Sequence, residues 1–194
     1  TTGDENVAIG HGALDGSDGT VNGNTAVGTD TMGSASYAGG NNTAVGYNAM
    51  LLATSATGTT AIGNQALDAA LTGDNNTAVG SAALGATTTG HSNVAVGKSA
   101  LTLNTTGIAN VAVGFDAGKA ISTGAKNIMI GYQAGEATTT ADFNTVVGYY
   151  ALGANIDGAS NTAVGALALD ATDDGTQNTA VGVAALSANC GDTN

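Results

Sequence analysis

One spacing governs what this chain can fold into. A glycine preceded by valine or isoleucine recurs at Gly10, Gly28, Gly46, Gly63, Gly80, Gly97, Gly114, Gly131, Gly148, Gly165 and Gly182; the first two intervals are 18 residues and the next eight are 17. Positions are counted below from this anchor. Position −2 is Ala in nine of the eleven copies, with Met129 and Val146 as exceptions, and position −4 is Asn in ten, with Thr59 as the exception. Position +3 is Ala in ten, with Thr31 as the exception, and position +4 is Leu or Met in nine, with Gly118 and Gly135 as exceptions. A helix-turn-helix repeat needs ~34 residues, so each copy is too short for one. The Thr-Ala-Val triplets favour extended backbone, and regular glycines mark turns or close backbone approach. Each copy therefore reads as one coil, and the fold class is all-β, a parallel β-solenoid of about eleven 17-residue coils. Coils stacked at roughly 4.8 Å make a rod about 53 Å long. An Asn at a fixed place in stacked coils predicts a side-chain ladder along the axis.

The array leaves no domain boundary, so 1–194 reads as a single repeat segment. The extra residue of the 18-residue copies is expected within Asp15-Gly16-Ser17-Asp18-Gly19. Both ends stay in register with no cap-like departure. Since solenoids need polar caps against end-to-end pairing, this predicts a longer parent protein or head-to-tail stacking.

The repeat overrides the composition. Leu, Ile, Val and Phe number only 35 and the net charge is −12, which in a non-repetitive chain would signal disorder. With 31 Gly and 38 Ala the chain cannot fill one thick core, but a thin roll does not require it. The absence of proline fits a backbone whose N–H groups are used along most of each coil. There is no arginine, and Lys98, Lys119 and Lys126 are too few to neutralise a phosphate backbone, so a nucleic-acid partner is not expected. No apolar run reaches the ~20 residues of a membrane span, and any export signal lies outside the segment. The acidic balance suits an extracellular, cell-surface or virion-surface setting.

Alternation along a strand places Asn, Ala and Gly on one face and Thr/Val and Val/Ile on the other. Only a thin interior has reason to exclude large side chains, so Ala and Gly are expected inside, in a roll too narrow for more. The row Ile9, Val27, Val45, Ile62, Val79, Val96, Val113, Ile130, Val147, Val164 and Val181 then faces outward. Such a row covers roughly 400–500 Å², near the upper end of what a monomer exposes. Covering it is worth on the order of 15–30 kcal/mol per chain, so it is expected to be an inter-chain packing row. The alternative is that this row points inward and the chain is a self-sufficient monomer.

The string Asn-x-Ala-[Val/Ile]-Gly-x-x-Ala, repeated from Asn6 to Leu186, resembles the head repeat of trimeric autotransporter adhesins, the YadA-like head, and is similar to repeats of bacteriophage tail fibres. The resemblance implies a left-handed parallel β-roll in a tight homotrimer with the Val/Ile row at the trimer centre. It implies a structural fibre segment, a rigid rod for attachment in an adhesin, tail fibre or surface filament. Expected partners are further copies of the chain, in a trimer or filament, and a host-surface receptor or glycan. Coils of 17 residues are longer than the usual head repeat, and the segment holds no stalk coiled coil or membrane anchor, so adhesin and phage fibre both stay open.

Catalytic chemistry is sparse, and no enzyme activity, cofactor or metal is expected. His11 and His91 occupy different repeat positions with no partner for a zinc set. Acids gather in loops, as in Asp4-Glu5, Asp15 with Asp18, and Asp170 with Asp173 and Asp174, without a calcium-loop pattern. Cys190 is the only cysteine, which excludes an intrachain disulfide. Phe115, Tyr132 and Tyr149 each follow an anchor in three successive coils, and Tyr47 holds the same place earlier. The first three form a predicted aromatic ladder, either a sugar- or partner-binding stripe or mutual stacking that stabilises the roll. Asn41, Asn75 and Asn104 head Asn-x-Thr sequons, relevant only in a glycosylating host. A second function class is ice or surface binding through the Thr-x-Val face, using Thr25, Thr43, Thr60 and Thr77, then Thr145, Thr162 and Thr179. Val94, Val111 and Ile128 interrupt that row.

Overall fold

The computed structural model describes residues 3–17, 21–34, 36–69, 71–171, 174–188 and 192. Cys190, Asp18, Gly19 and Asp173 lie outside the described residues. Eleven three-residue strands run in chain order: β1 Val7–Ile9, β2 Thr25–Val27, β3 Thr43–Val45, β4 Thr60–Ile62, β5 Thr77–Val79, β6 Val94–Val96, β7 Val111–Val113, β8 Ile128–Ile130, β9 Thr145–Val147, β10 Thr162–Val164 and β11 Thr179–Val181. Each pairs parallel with the next in a single eleven-stranded sheet, and no helix occurs among the described residues. Register follows the repeat without slippage, so Ala26 pairs with Ala44 and Met129 with Val146. The chain is the parallel β-solenoid that the 17-residue period predicts.

Four residues in every coil take positive φ, which is how so short a repeat closes. In the ninth coil these are Phe143 (61°), the anchor Gly148 (150°), Tyr150 (51°) and Leu152 (53°). The four places differ in what they tolerate. At +4 a leucine sits near φ +53° in coil after coil. A left-handed residue costs about 1–2 kcal/mol, and burying a leucine offsets that with about 1.5–3 kcal/mol. The anchors lie between +129° and +150°, beyond the left-handed well that L-residues reach. A methyl group on Gly114 would also overlap the carbonyl of Gly131 in the next coil. Conformation demands glycine in all eleven copies, and in all but the last, Gly182, so does the space left by the next coil.

Two features of the interior differ in kind. The first is apolar and corrects the expected Ala-Gly interior. The +4 side chains Met32, Met50, Leu67, Leu84, Leu101, Leu152 and Leu169 are fully buried beside the −2 and +3 alanines. The roll is wide enough for a large side chain in most coils, and Leu67 and Leu71, in one coil, are both fully buried. Where +4 becomes glycine, another residue fills the space. A methyl group on Gly135 would overlap the Met129 sulfur, and one on Gly118 would lie 3.0 Å from that sulfur, 3.1 Å from Leu101 and 3.2 Å from Ile121. Gly118, Gly135 and Met129 are thus parts of one packing solution.

The second is polar. The buried −4 asparagines form the expected ladder, but mainly through backbone groups. Asn110 Oδ1 accepts the Asn127 backbone N–H at 2.9 Å, and Asn110 Nδ2 donates to the Gly124 carbonyl at 2.7 Å. The same pair of bonds joins Asn144 to Asn161 (2.8 Å) and to the Gly158 carbonyl (2.9 Å). Thr59 continues the ladder weakly, its Oγ1 accepting from Asn76 N at 3.4 Å. Tyr37 is buried against this ladder, bonded to Asn24 Oδ1 at 3.3 Å and to the Asn42 amide. Burial pushes its phenol up to about 12, a rise the Asn42 bond partly offsets.

Candidate interaction face

Each strand carries its −3 and −1 side chains outward and its −2 side chain inward, as the buried Ala26, Ala44, Ala78 and Ala95 show. Because all strands stack in register, the outward side chains form two straight rows down the sheet. In row −1, Ile62, Val96, Val113 and Ile130 are 36–39% exposed. Val27, Val45, Val79, Val147 and Val164 are half-buried, and Ile9 and Val181 on the first and last strands are more open. The reading in which this row points inward is therefore overturned. In row −3, seven positions are Thr; the others are Val7, Val94, Val111 and Ile128. Neither row contains a charged residue in any of the eleven coils, although the chain carries −12. Among the described residues the charges lie outside the strands instead.

Four acids outside the strands bind the solenoid's own backbone and hydroxyls. Asp74 Oδ1 accepts Thr57 N–H at 2.8 Å, and Asp142 Oδ1 accepts Ala125 N–H at 2.7 Å. Asp157 accepts the Thr140 and Thr139 hydroxyls at 2.7 and 2.9 Å, which hold its carboxyl below the ordinary range. Thr176 does the same for Asp192. His11 lies 3.6 Å from Asp30, and His91 is 3.3 Å from the Ser92 hydroxyl; both rings face solvent. Among the described residues, no three His, Cys, Asp or Glu side chains group closely enough to hold a metal. No helix among them is long and apolar enough to cross a membrane.

The aromatic side chains predicted to align do stack. Phe115 and Tyr132 are 5.2 Å apart at 12°, and Tyr132 and Tyr149 are 5.4 Å apart at 17°. Tyr150 meets Tyr149 edge-on at 4.6 Å. Lys98, which holds position +1 one coil earlier, places its ammonium 5.8 Å from the Phe115 centroid. Its membership of this row was readable from the repeat; that of Tyr150, at position +2, was not. The rings are 38–54% exposed, yet their faces are largely taken by one another. Solvent meets ring edges and hydroxyls. Of the three sequons, Asn41 and Asn75 are exposed while Asn104 is fully buried.

Comparison with protein-family models, with characterised proteins and with solved structures finds no match to this chain.

Proposed function

We propose that the chain is a structural rod, a segment of an extracellular fibre whose copies pack together along the Val/Ile face. One observation carries this reading: an uncharged, largely aliphatic strip runs without interruption over all eleven strands of a chain whose net charge is −12. With the inner members of row −1 no more than 39% exposed, the strip left in water forgoes about 0.5–1 kcal/mol per such side chain that full burial would supply. A straight rod with interchangeable coils also suits extension over distance better than enclosure of a small substrate. The proposal assigns no reaction and no cofactor. The resemblance to adhesin heads and phage tail fibres favours a homotrimer at a cell or virion surface. A receptor or glycan, where one binds, would meet the edges and hydroxyls of Tyr132 and Tyr149. Light scattering at micromolar concentration tests the reading: a mass of two or more chains is expected, and a monodisperse monomer would sink it.

Ice or surface binding is the second reading, supported by Thr25, Thr43, Thr60 and Thr77, which stand in register on β2 to β5. An ordered water lattice needs that row to continue, and Val94, Val111 and Ile128 replace its hydroxyls with methyl groups on the next three strands. Absence of thermal hysteresis would remove it.

A further inference from the structure

A face with a repeating period specifies that copies associate, but not at what height. Row −1 is Val or Ile in every coil and row −3 is Thr in seven of eleven. Sliding one copy along another by a whole coil therefore exchanges most contacts for equivalent ones. Three consecutive strands break that degeneracy. On β6, β7 and β8 the −3 residue is Val94, Val111 or Ile128, beside Val96, Val113 and Ile130 in row −1. The six form an aliphatic block two side chains wide and three coils long, bounded by Thr77 on β5 and Thr145 on β9.

We propose that this block sets the axial register in which a second copy of the chain docks on the face. The inference rests on the self-association reading above. With the copies aligned, block meets block. A one-coil slip sets the hydroxyl of Thr77 or Thr145 against an aliphatic side chain, where a buried oxygen has no partner. The block is centred on β7, so block-on-block docking sets coil seven against coil seven in parallel and antiparallel pairs alike.

Three observations name a second copy as the occupant. The strip is the uncharged surface through which chains of charge −12 can approach. Only a partner with the same axial repeat sets an aliphatic side chain opposite each of eleven rungs. The strip is about 53 Å by about 10 Å, so two such faces together bury about 1,000 Å², the lower limit of a specific interface. A slip of several coils uncovers both ends and drops below that limit.

The test is a single-cysteine cross-link at the block's centre. In a C190S chain, V113C is oxidised and the disulfide-linked fraction read on a non-reducing gel, with assembly mass from light scattering. A disulfide needs Cβ atoms about 3.8 Å apart, which a one-coil offset forbids. The linked form is expected to dominate. V94T/V111T/I128T, which borrows the threonine that seven other coils already use, is then added. The expected result is an unchanged mass with the linked fraction reduced to about one third, the share left to the aligned register once those one coil up and down are equally populated. An undiminished fraction at unchanged mass overturns the register inference and leaves self-association standing. So does failure of V113C to link in an assembled parent, or loss of assembly in the triple variant. A parent chain that scatters as a monomer overturns the self-association reading itself.

Discussion

Asn110→Ala tests whether the buried asparagine ladder holds successive coils together. The substitution removes the acceptor of the Asn127 N–H (2.9 Å) and the donor to the Gly124 carbonyl (2.7 Å). Both partners lie inside the roll, and a buried group left without a bond costs about 1–3 kcal/mol. The expected loss is about 2–6 kcal/mol, large against the stability of an ordinary domain. Asn110→Thr is the graded control. Thr59 shows that a hydroxyl in this place still accepts the next coil's N–H, at 3.4 Å, so only the Gly124 carbonyl loses its donor. That variant should lose about 1–3 kcal/mol. Guanidinium unfolding at one fixed protein concentration gives the order parent, N110T, N110A. Hydrogen exchange at the Asn127 amide should accelerate most in N110A. An N110A chain within about 0.5 kcal/mol of the parent, the range of an ordinary surface substitution, would refute the ladder's role.

Gly97→Ala should be among the most damaging single-methyl additions, because φ is +136° and the methyl would overlap the Gly114 carbonyl; we expect a loss of more than about 3 kcal/mol, read as insoluble protein or a collapsed denaturation midpoint. Gly135→Leu and Met129→Ala should each destabilise, the first by overlap and the second by a cavity of about 2–5 kcal/mol. Together they restore the common Ala/Leu pattern, so a double-mutant cycle should return more than about 1 kcal/mol of favourable coupling. Raising the pH should destabilise the fold through Tyr37. Its folded value near 12 exceeds the ordinary 10, so its contribution is full below pH 10 and is lost between pH 10 and 12, about 3 kcal/mol in all. A Tyr37→Phe chain should lack that part of the alkaline transition, checked by pH-dependent circular dichroism.

The period, the eleven strands and the parity of the two faces were legible because they follow from spacing and from alternation along a strand. The same parity could not be carried past the anchor. A glycine near φ +140°, followed by left-handed residues at +2 and +4, breaks the alternation, so the inward turn of Leu84 or Leu101 had no signal in a period-two reading. Tyr37 was missed because it lies outside the repeated motif: an isolated bridge pairs it with Ser17, and its hydroxyl meets Asn24 and Asn42 of the ladder on either side of it in sequence. The Phe115–Tyr132–Tyr149 stack was legible because equal positions in consecutive coils must lie one above another.

Departures from the repeat carry different meanings on the two sides of the wall. In a solenoid each coil touches only its neighbours, so interchangeable coils cannot distinguish one height from another. Inside, a departure is answered within the chain: Gly135 makes room for Met129, and Thr59 takes up the hydrogen bond of a missing asparagine. Outside, Val94, Val111 and Ile128 replace threonine in a row of outward side chains; the coil of Val94 keeps the common Ala95 and Leu101 inside, while those of Val111 and Ile128 also depart inside, at Gly118 and at Met129 and Gly135. The gain from an uncovered valine over a threonine in water is small, whereas under a partner it is the transfer of a methyl group without a stranded hydroxyl. Under the proposed packing of copies, the outward exceptions find their physical reason in a contact beyond the chain, and the inward ones find theirs within it.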